Sequence, residues 1–314
     1  MPTAARSNPS APSAAIASPR RPAARELSLT DPAFIQRLET LALLAKRILG
    51  GKLQANRRTT KKGTGVSFAD YAPYYPGDDH RAIDWRVYAR MEHLVIKLFE
   101  LEEDMTLVIL LDTSASMAEK LPYAKQLAAA LGFLALRGLD RVAVYALDRS
   151  ITPVLETAHG RGKVMPLLRS LESVNAGGTA SDLEAGCRTL VARHRRRMMV
   201  VPISDFFFPG GFDTAFDLLR HQNHEVFCLQ VQSATDRVCN LRGDAELACV
   251  ETGRTRKVTI RPAEAAAYEA AVADWNQSLT DACRRRGMGL ATTLDDVPFD
   301  DVMQRVLRLG GLVA

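Results

Sequence analysis

The sequence predicts an α/β protein built on a doubly wound, mainly parallel sheet. From residue 94 onward, short apolar runs alternate with amphipathic segments of helical length, the pattern of strands joined by crossover helices. Residues 106–111 are apolar on both faces, as a strand covered by helices on each side must be. The 314 residues, of which 47% are hydrophobic and 25% charged, suffice for a sizeable core and argue against a disordered or fibrous chain.

The N-terminal third is predicted to hold a tail, one helix and a connector. Residues 1–28 are rich in Ala, Pro and Ser without periodicity, which predicts a disordered tail. Apolar side chains at helical spacing begin near Pro32 and stop at Gly50, which predicts a helix between them. A basic stretch at 52–62 then leads to an aromatic, Pro-rich segment at 68–79. This segment is predicted to be a loop, because proline is excluded from helix interiors and central strands.

The remaining elements follow from apolar periodicity. The strands expected in chain order are 94–101, 106–111, 141–147, 151–155, 198–204, 226–231 and 289–293. The helices expected among them are 120–138, 161–173, 181–194, 211–221, 263–286 and 299–309. Residues 246–251 and 257–260 are predicted to pair as a β-hairpin added to this fold. Within 76–90, the charged residues are interpreted as structural ion pairs: Arg81, Asp84, Arg86 and Arg90.

The net charge of +5 and the pI near 9.0 suggest nucleic acid or an acidic membrane as a partner. The excess lies at the N-terminus, because residues 1–62 carry 12 basic and 3 acidic side chains whereas residues 105–314 carry 25 and 24. Nucleic-acid binding through residues 1–62 therefore stays only as an alternative, and the main domain is expected to act by other means.

The sequence also bears on the location of the protein. No apolar run approaches the roughly 18 residues of a membrane span, and the first 25 residues lack the apolar centre of a signal peptide. The five cysteines contain no C-x-x-C pair, so they are expected to be reduced thiols. We therefore expect a cytoplasmic protein without a transmembrane segment.

Polar side chains follow three of the predicted elements at one edge of the sheet. Asp112, Ser114 and Ser116 come directly after the central strand, Thr179 lies in the loop before the helix at 181, and Asp205 follows the strand at 198–204. Ligands of open parallel sheets bind outside the carboxyl ends of the strands. Carboxylates and hydroxyls without His or Cys suit Mg²⁺ or Mn²⁺ and disfavour zinc.

These residues resemble the metal-ion-dependent adhesion site of von Willebrand factor A domains, in which a D-x-S-x-S loop, a Thr and an Asp hold a divalent ion. The resemblance implies that Ser114, Ser116 and Thr179 supply hydroxyls and that Asp112 and Asp205 supply carboxylates, some of them through water. It also makes the predicted sheet a von Willebrand factor A-like domain, with an N-terminal helix and loop extension and a β-hairpin elaboration.

A block upstream of this sheet resembles the domain-of-unknown-function 58 family. The matching residues are Phe68, Tyr71, Pro73, Pro76-Gly77-Asp78-Asp79, Arg81, Ile83-Asp84-Trp85, Ala89-Arg90, Lys97, Phe99 and Glu100. In that family the block precedes an A-type domain, so the resemblance implies, after the predicted tail at 1–28, a helix and signature region at 29–104 and an A-type domain at 105–314. Family members are commonly associated with MoxR-type AAA+ ATPases, which implies such an ATPase as the partner.

The function implied is a non-enzymatic, Mg²⁺-dependent protein-interaction module, an adaptor or chaperone partner of that ATPase. An Asp or Glu of a partner would complete the shell of the ion. The enzymatic alternative is a Mg²⁺-dependent phosphotransferase or hydrolase with Asp112 as nucleophile, but such enzymes usually carry a second carboxylate where this chain has Ser114. No phosphate-binding G-x-x-x-x-G-K-[ST] motif is present. Asp182 is interpreted as a first-turn helix residue outside the metal shell.

Overall fold

The computed structural model describes residues 28–49, 58–62, 67–102, 106–138, 140–177 and 181–309. The predicted tail up to residue 27, the basic residues at 52–57 and Thr179 lie outside the described residues. The chain divides into two units. The described residues of 46–104 form the smaller unit, and those of 28–45 and 106–309 form the larger one.

The helices and strands follow one another as the apolar periodicity indicates, with some additions. The helices are α1 (Pro32–Leu49), α2 (Trp85–Met91), α3 (Leu121–Arg137), α4 (Val164–Glu172), α5 (Leu183–Arg193), α6 (Asp213–His221), α7 (Ala234–Arg237), α8 (Pro262–Arg285) and α9 (Phe299–Leu309). The strands are β1 (Arg58–Lys62), β2 (Ser67–Pro73), β3 (Val95–Glu102), β4 (Thr106–Asp112), β5 (Arg141–Leu147), β6 (Ile151–His159), β7 (Met198–Ser204), β8 (Glu225–Gln232), β9 (Gly243–Ala248), β10 (Thr255–Ile260) and β11 (Gly289–Leu294). Over the part of the chain described here, none of the helices is long and apolar enough to cross a bilayer.

The larger unit is built on a six-stranded sheet in the order β11-β8-β7-β4-β5-β6. Neighbouring strands are parallel except β5 and β6, which form an antiparallel pair. Val108 and Leu110 of β4 pack in one core cluster with Leu190 of α5, Phe216 of α6 and Leu279 of α8. Helix α3 contacts β4 and β5 as well. The predicted doubly wound, mainly parallel α/β architecture is therefore confirmed.

The strand order reverses at β4. The chain runs from β4 to β5 on one side, and it later returns to place β7 on the other side. All seven residues of β7 are buried, and so are the last six of β4, which makes these two strands the centre of the sheet. Their carboxyl ends form the topological switch point, where open α/β sheets bind their ligands.

A β-hairpin of β9 and β10 lies in the chain between β8 and α8, outside the main sheet. Gly243 pairs with Ile260 and Ala248 with Thr255. The hairpin was predicted with its first strand at 246–251, but this strand ends at Ala248 because residues 249–254 form the connecting turn. Gly253 sits in that turn at a φ of 67°, a backbone conformation that favours glycine.

The smaller unit contains an antiparallel sheet in the order β1-β3-β2. The prediction that 68–79 is a loop is wrong for its first half, because residues 67–73 form the strand β2. This strand is an edge of its sheet, and Pro73 ends it, which is a position where proline costs no ladder hydrogen bond. Helix α2 was not predicted either; it begins after Asp84, whose side chain caps it.

Asp84 is the polar centre of the smaller unit. It is buried, and its carboxylate accepts hydrogen bonds from the Arg86 amide at 2.9 Å and the Tyr71 hydroxyl at 2.9 Å. The ammonium of Lys97 lies 3.1 Å away. The ion-pair partner of Asp84 is thus a lysine on β3 and not one of the neighbouring arginines. The Lys97 contact, assisted by the Tyr71 and amide hydrogen bonds, lowers the pKa of Asp84 to about 2 despite burial.

This low pKa predicts how the stability of the smaller unit depends on pH. The pKa of Asp84 is about 2 when folded and about 3.9 in an unfolded chain, so the unfolded state binds more protons between these values. The stabilisation is complete above pH 5 and is lost as the pH falls through about 2. In urea titrations followed by tryptophan fluorescence, Asp84→Asn should lower the midpoint at pH 7 and approach wild type as the pH falls. Midpoints that differ equally at every pH would contradict this assignment.

Candidate functional site

The loop after β4 brings three of the predicted site residues together. The Ser114 amide donates to Asp112 Oδ1 at 2.9 Å, which folds the chain back immediately after the strand. A short 3₁₀ turn, Ala115–Met117, follows and is anchored by the fully buried Met117 side chain. The hydroxyl oxygens of Ser114 and Ser116 lie 3.1 Å apart. One carboxylate and two hydroxyls therefore share the carboxyl end of the central strand.

Asp112 is buried among hydroxyl donors. Its exposed fraction is 1%, the Ser181 hydroxyl donates to Oδ1 at 2.6 Å, and the Ser204 hydroxyl donates to Oδ2 at 2.5 Å. Burial raises the pKa of Asp112 to about 6, and the charge of Asp205 adds to the rise, although the hydrogen bonds oppose it. The surroundings of Asp112 thus disfavour its ionised form. A nearby cation would stabilise the negative charge of this carboxylate.

Asp205 reaches the same place from the end of β7. It is 2% exposed, and its Oδ1 accepts a hydrogen bond from the Phe207 amide at 3.1 Å. Between them, Phe206 adopts a φ of 62°, an unusual backbone conformation for a residue that is not glycine. The fully buried Phe206 ring and the Trp275 indole, which donates to the Phe206 carbonyl at 3.0 Å, hold that conformation. The core thus fixes the direction of the second carboxylate.

A buried lysine completes the charge pattern. The ammonium of Lys120, whose side chain is 4% exposed, lies 2.7 Å from Asp205 Oδ2 and 2.9 Å from Asp236 Oδ2. Burial alone would lower the pKa of Lys120, but the two carboxylates outweigh burial and hold it above its ordinary value. Lys120 therefore stays charged. No pattern in the sequence indicated this role, because a lysine at a helix start is typical of a solvated side chain.

Glu251 also reaches the site, from the turn between β9 and β10. Its Oε1 accepts a hydrogen bond from the Ser116 amide at 3.0 Å. Its Oε2 is buried and finds no hydrogen-bond partner among the described residues. Nothing in the sequence indicated this contact, because Glu251 follows a hairpin strand and is 135 residues away from Ser116.

Four of the five predicted metal ligands lie in the described part of the chain. Asp112, Ser114, Ser116 and Asp205 meet at the switch point, whereas Thr179 lies outside the described residues. Asp182 is the N-cap of α5 rather than a first-turn residue, since its carboxylate accepts from the Ala185 amide at 2.9 Å. Two hydroxyls not assigned to the site, those of Ser181 and Ser204, hold Asp112. Ser204 could have been found from its place beside Asp205 at the end of a buried strand.

The donor set fits a hard divalent cation. Among the described residues, no group of three or more His, Cys, Asp or Glu side chains could hold a metal by itself, so an ion here would depend on serine hydroxyls as well. Within the part of the chain that the structure describes, Lys120 forms ion pairs with Asp205 and Asp236 only. Four carboxylates line the site or its border: Asp112, Asp205, Asp236 and Glu251. A carboxylate oxygen that already accepts one hydrogen bond keeps a second lone pair. The excess of negative charge and the unpartnered Oε2 of Glu251 both favour a bound cation.

Comparisons with known proteins agree with the upstream block. The family described as "Protein of unknown function DUF58" matches residues 70–278. An uncharacterised protein of Mycobacterium tuberculosis is 29% identical over 243 residues, which cover 75% of this chain and 76% of that protein.

Two solved structures are similar in part. The conserved hypothetical protein BatB from Bacteroides thetaiotaomicron aligns over 66% of this chain and 98% of that chain, with 14% identity and a TM-score of 0.45. A von Willebrand factor type A protein from Catenulispora acidiphila aligns over 68% of this chain and 43% of that chain, with 11% identity and a TM-score of 0.39. Because the family match alone spans about two thirds of the sequence, this chain belongs to the DUF58 family.

Proposed function

We propose that this chain is a non-enzymatic protein-interaction module that binds its partner through Mg²⁺ or Mn²⁺. The ion would be held by five residues: Asp112, Ser114, Ser116, Thr179 and Asp205. The observation that carries the proposal is the meeting of two buried carboxylates with two serine hydroxyls at the switch point of the sheet. The raised pKa of Asp112 supports it, because a cation would relieve the repulsion that burial and Asp205 impose.

The ligand set explains why such an ion would serve binding. Two carboxylates and a few hydroxyls do not fill the coordination shell of a divalent ion, so exchangeable water positions would remain on it. The chain itself orients the ligands, since Ser181 and Ser204 hold Asp112 and the Phe207 amide holds Asp205. An Asp or Glu of a partner would supply the missing oxygen, and binding would then require metal.

The surroundings of Asp112 favour this role over phosphoryl transfer. A nucleophilic aspartate needs an oxygen that can approach a phosphorus atom in line. Here the carboxylate is 1% exposed, and both of its oxygens accept hydrogen bonds from serine hydroxyls or an amide. This enclosure supports a ligand for an ion rather than an attacking group.

The partner we propose is a MoxR-type AAA+ ATPase, to which the chain would act as adaptor or chaperone partner in the cytoplasm. This part of the proposal rests on the resemblance to the DUF58 family and on the acidic ligand that the site requires. The chain, immobilised in Mg²⁺, should retain the ATPase from a lysate of its source, and EDTA should release it. Asp112→Asn should retain none, whereas Asp182→Asn, which keeps a helix cap, should behave as wild type.

Two results would contradict the proposal. Retention of the ATPase that is insensitive to EDTA would exclude a metal-dependent contact. Metal-dependent hydrolysis of p-nitrophenyl phosphate by wild type, lost in Asp112→Asn, would assign the chain to the enzymatic alternative instead.

A further inference from the structure

The turn between β9 and β10 places a carboxylate on the loop that follows β4, residues 113–117, which we call the metal-site loop. Glu251 sits within residues 249–254, a turn closed by two hydrogen bonds, from the Cys249 amide to the Arg254 carbonyl and from the Gly253 amide to the Cys249 carbonyl, both 2.8 Å. The turn therefore has a defined conformation, which directs the Glu251 side chain toward Ser116. Its Oε1 binds the Ser116 amide at 3.0 Å. This amide belongs to a residue of the proposed ligand set.

The second carboxylate oxygen of Glu251 has no hydrogen-bond partner among the described residues. Oε2 is buried and unpartnered, whereas buried carboxylate oxygens almost always accept a hydrogen bond or bind an ion. A cation at the neighbouring Ser114 and Ser116 hydroxyls would provide that partner. A carboxylate is also the group that a protein ligand of this site is expected to bring.

The hairpin is attached to the site at its base as well as at its tip. Asp236, in the short helix that precedes the hairpin, contacts the Lys120 ammonium at 2.9 Å, and its backbone carbonyl accepts from the Tyr268 hydroxyl at 2.9 Å. Ile260 and Leu247 of the hairpin pack with Ala265 and Tyr268 of α8. The base of the hairpin is thus fixed by buried contacts, whereas its tip is held to the metal-site loop through Glu251.

From this arrangement we propose that Glu251 is an internal acidic ligand, a latch that occupies the position that the partner's Asp or Glu must take. The inference rests on the proposed metal-dependent function and adds its regulation. A ligand carried on the same chain acts at an effective concentration of about 1 mM or more. A partner must therefore displace the turn, and weak or isolated carboxylates are excluded from the site.

The latch can be tested with its own sequence as the probe. A fluorescent peptide of residues 248–255, added in Mg²⁺, should bind Glu251→Ala at least about 10-fold more tightly than wild type, because the internal competitor is gone. The same peptide with Gln in place of its Glu should bind neither protein. Glu246→Ala removes an exposed glutamate from the same hairpin and should match wild type. Glu251→Gln keeps the shape of the side chain and should show the same gain if the alanine variant does not fold.

Mn²⁺ binding followed by electron paramagnetic resonance separates the two levels of the proposal. If wild type and the Glu251 variants all bind Mn²⁺ but the peptide gains nothing on either variant, the latch is overturned and the metal site stands. If wild type does not bind Mn²⁺, the proposed function fails, and the latch fails with it.

Discussion

Mg²⁺ at 100 times its dissociation constant is expected to raise the free energy of unfolding of the wild-type chain by about 2.7 kcal/mol, and Asp112→Asn is expected to abolish this gain. The variant removes the one carboxylate that lies between Ser181, Ser204 and the Ser114 amide. An amide is a far weaker ligand for a hard dication than a carboxylate. Calorimetric titration with Mg²⁺ should accordingly show no heat of binding for the variant.

The stability of Asp112→Asn in EDTA separates a ligand from a structural carboxylate. Burial and the nearby Asp205 already disfavour the charge of Asp112, as its pKa of about 6 records, so the neutral amide should cost little without metal. We expect a free energy of unfolding within about 1 kcal/mol of wild type, because the relief of the buried charge offsets the hydrogen bond from the Ser204 hydroxyl that an amide nitrogen cannot accept.

Asp182→Asn is the matched control for this measurement. It makes the same chemical change at the cap of α5, where asparagine caps as well as aspartate. It should keep both the metal affinity and the Mg²⁺-dependent stabilisation. Equal Mg²⁺ affinity in wild type and Asp112→Asn would show that the carboxylate is not a ligand.

The architecture of the larger unit could be predicted because its central strands are continuous apolar runs that are visible in the local sequence. Residues 106–111 and 198–204 are continuous apolar runs, and crossover helices between such runs force a parallel sheet. Once the sheet was predicted, the polar residues after those two strands had to share one edge. The sequence alone therefore predicts that Asp112 and Asp205 lie at one edge of the sheet, without any knowledge of their contacts.

What the sequence could not predict is the pairing of residues that are distant along the chain. Lys120 contacts Asp205 and Asp236 over separations of 85 and 116 residues, and Glu251 meets Ser116 over 135. No local periodicity encodes such contacts. The edge strand β2 was missed for a different reason, since its terminal proline is typical of loops and is tolerated only because the strand lies at an edge.

Lys120→Met is expected to lower the free energy of unfolding by about 3–5 kcal/mol, the cost typical of removing one partner from a buried ion pair. The methionine fills a similar volume, so the loss would come from charge and not from a cavity. It would leave Asp205, 2% exposed, and the partly buried Asp236 without their shared cation. The free energies of unfolding of wild type, Lys120→Met and Asp112→Asn should be measured by chemical denaturation in EDTA. The Asp112→Asn protein shows the cost of a change at the same site that leaves the ammonium in place.

The control for this loss is Lys163→Met, which makes the same substitution at an exposed lysine. A surface change of this kind should stay within about 0.5 kcal/mol of wild type. A second substitution, Asp236→Asn, should restore part of the stability of Lys120→Met, because it removes one of the carboxylates left unpaired. If Lys120→Met costs no more than Lys163→Met, the buried ammonium does not hold these carboxylates together.

The stability that Mg²⁺ adds to wild type and to Lys120→Met shows whether the Lys120 ammonium acts together with a bound ion or takes the place of the ion. If the ammonium and the ion act together, each neutralising part of the excess negative charge, Lys120→Met should gain more stability from Mg²⁺ than wild type does. The reason is that the variant carries one more uncompensated negative charge beside the ion, which strengthens the attraction in a site of low polarity. A smaller gain than in wild type would mean that Lys120 instead positions Asp205 for the ion. Both results require the ion to bind beside the ammonium, whereas equal stability with and without Mg²⁺ in both proteins would mean that Lys120 is the cation of this site.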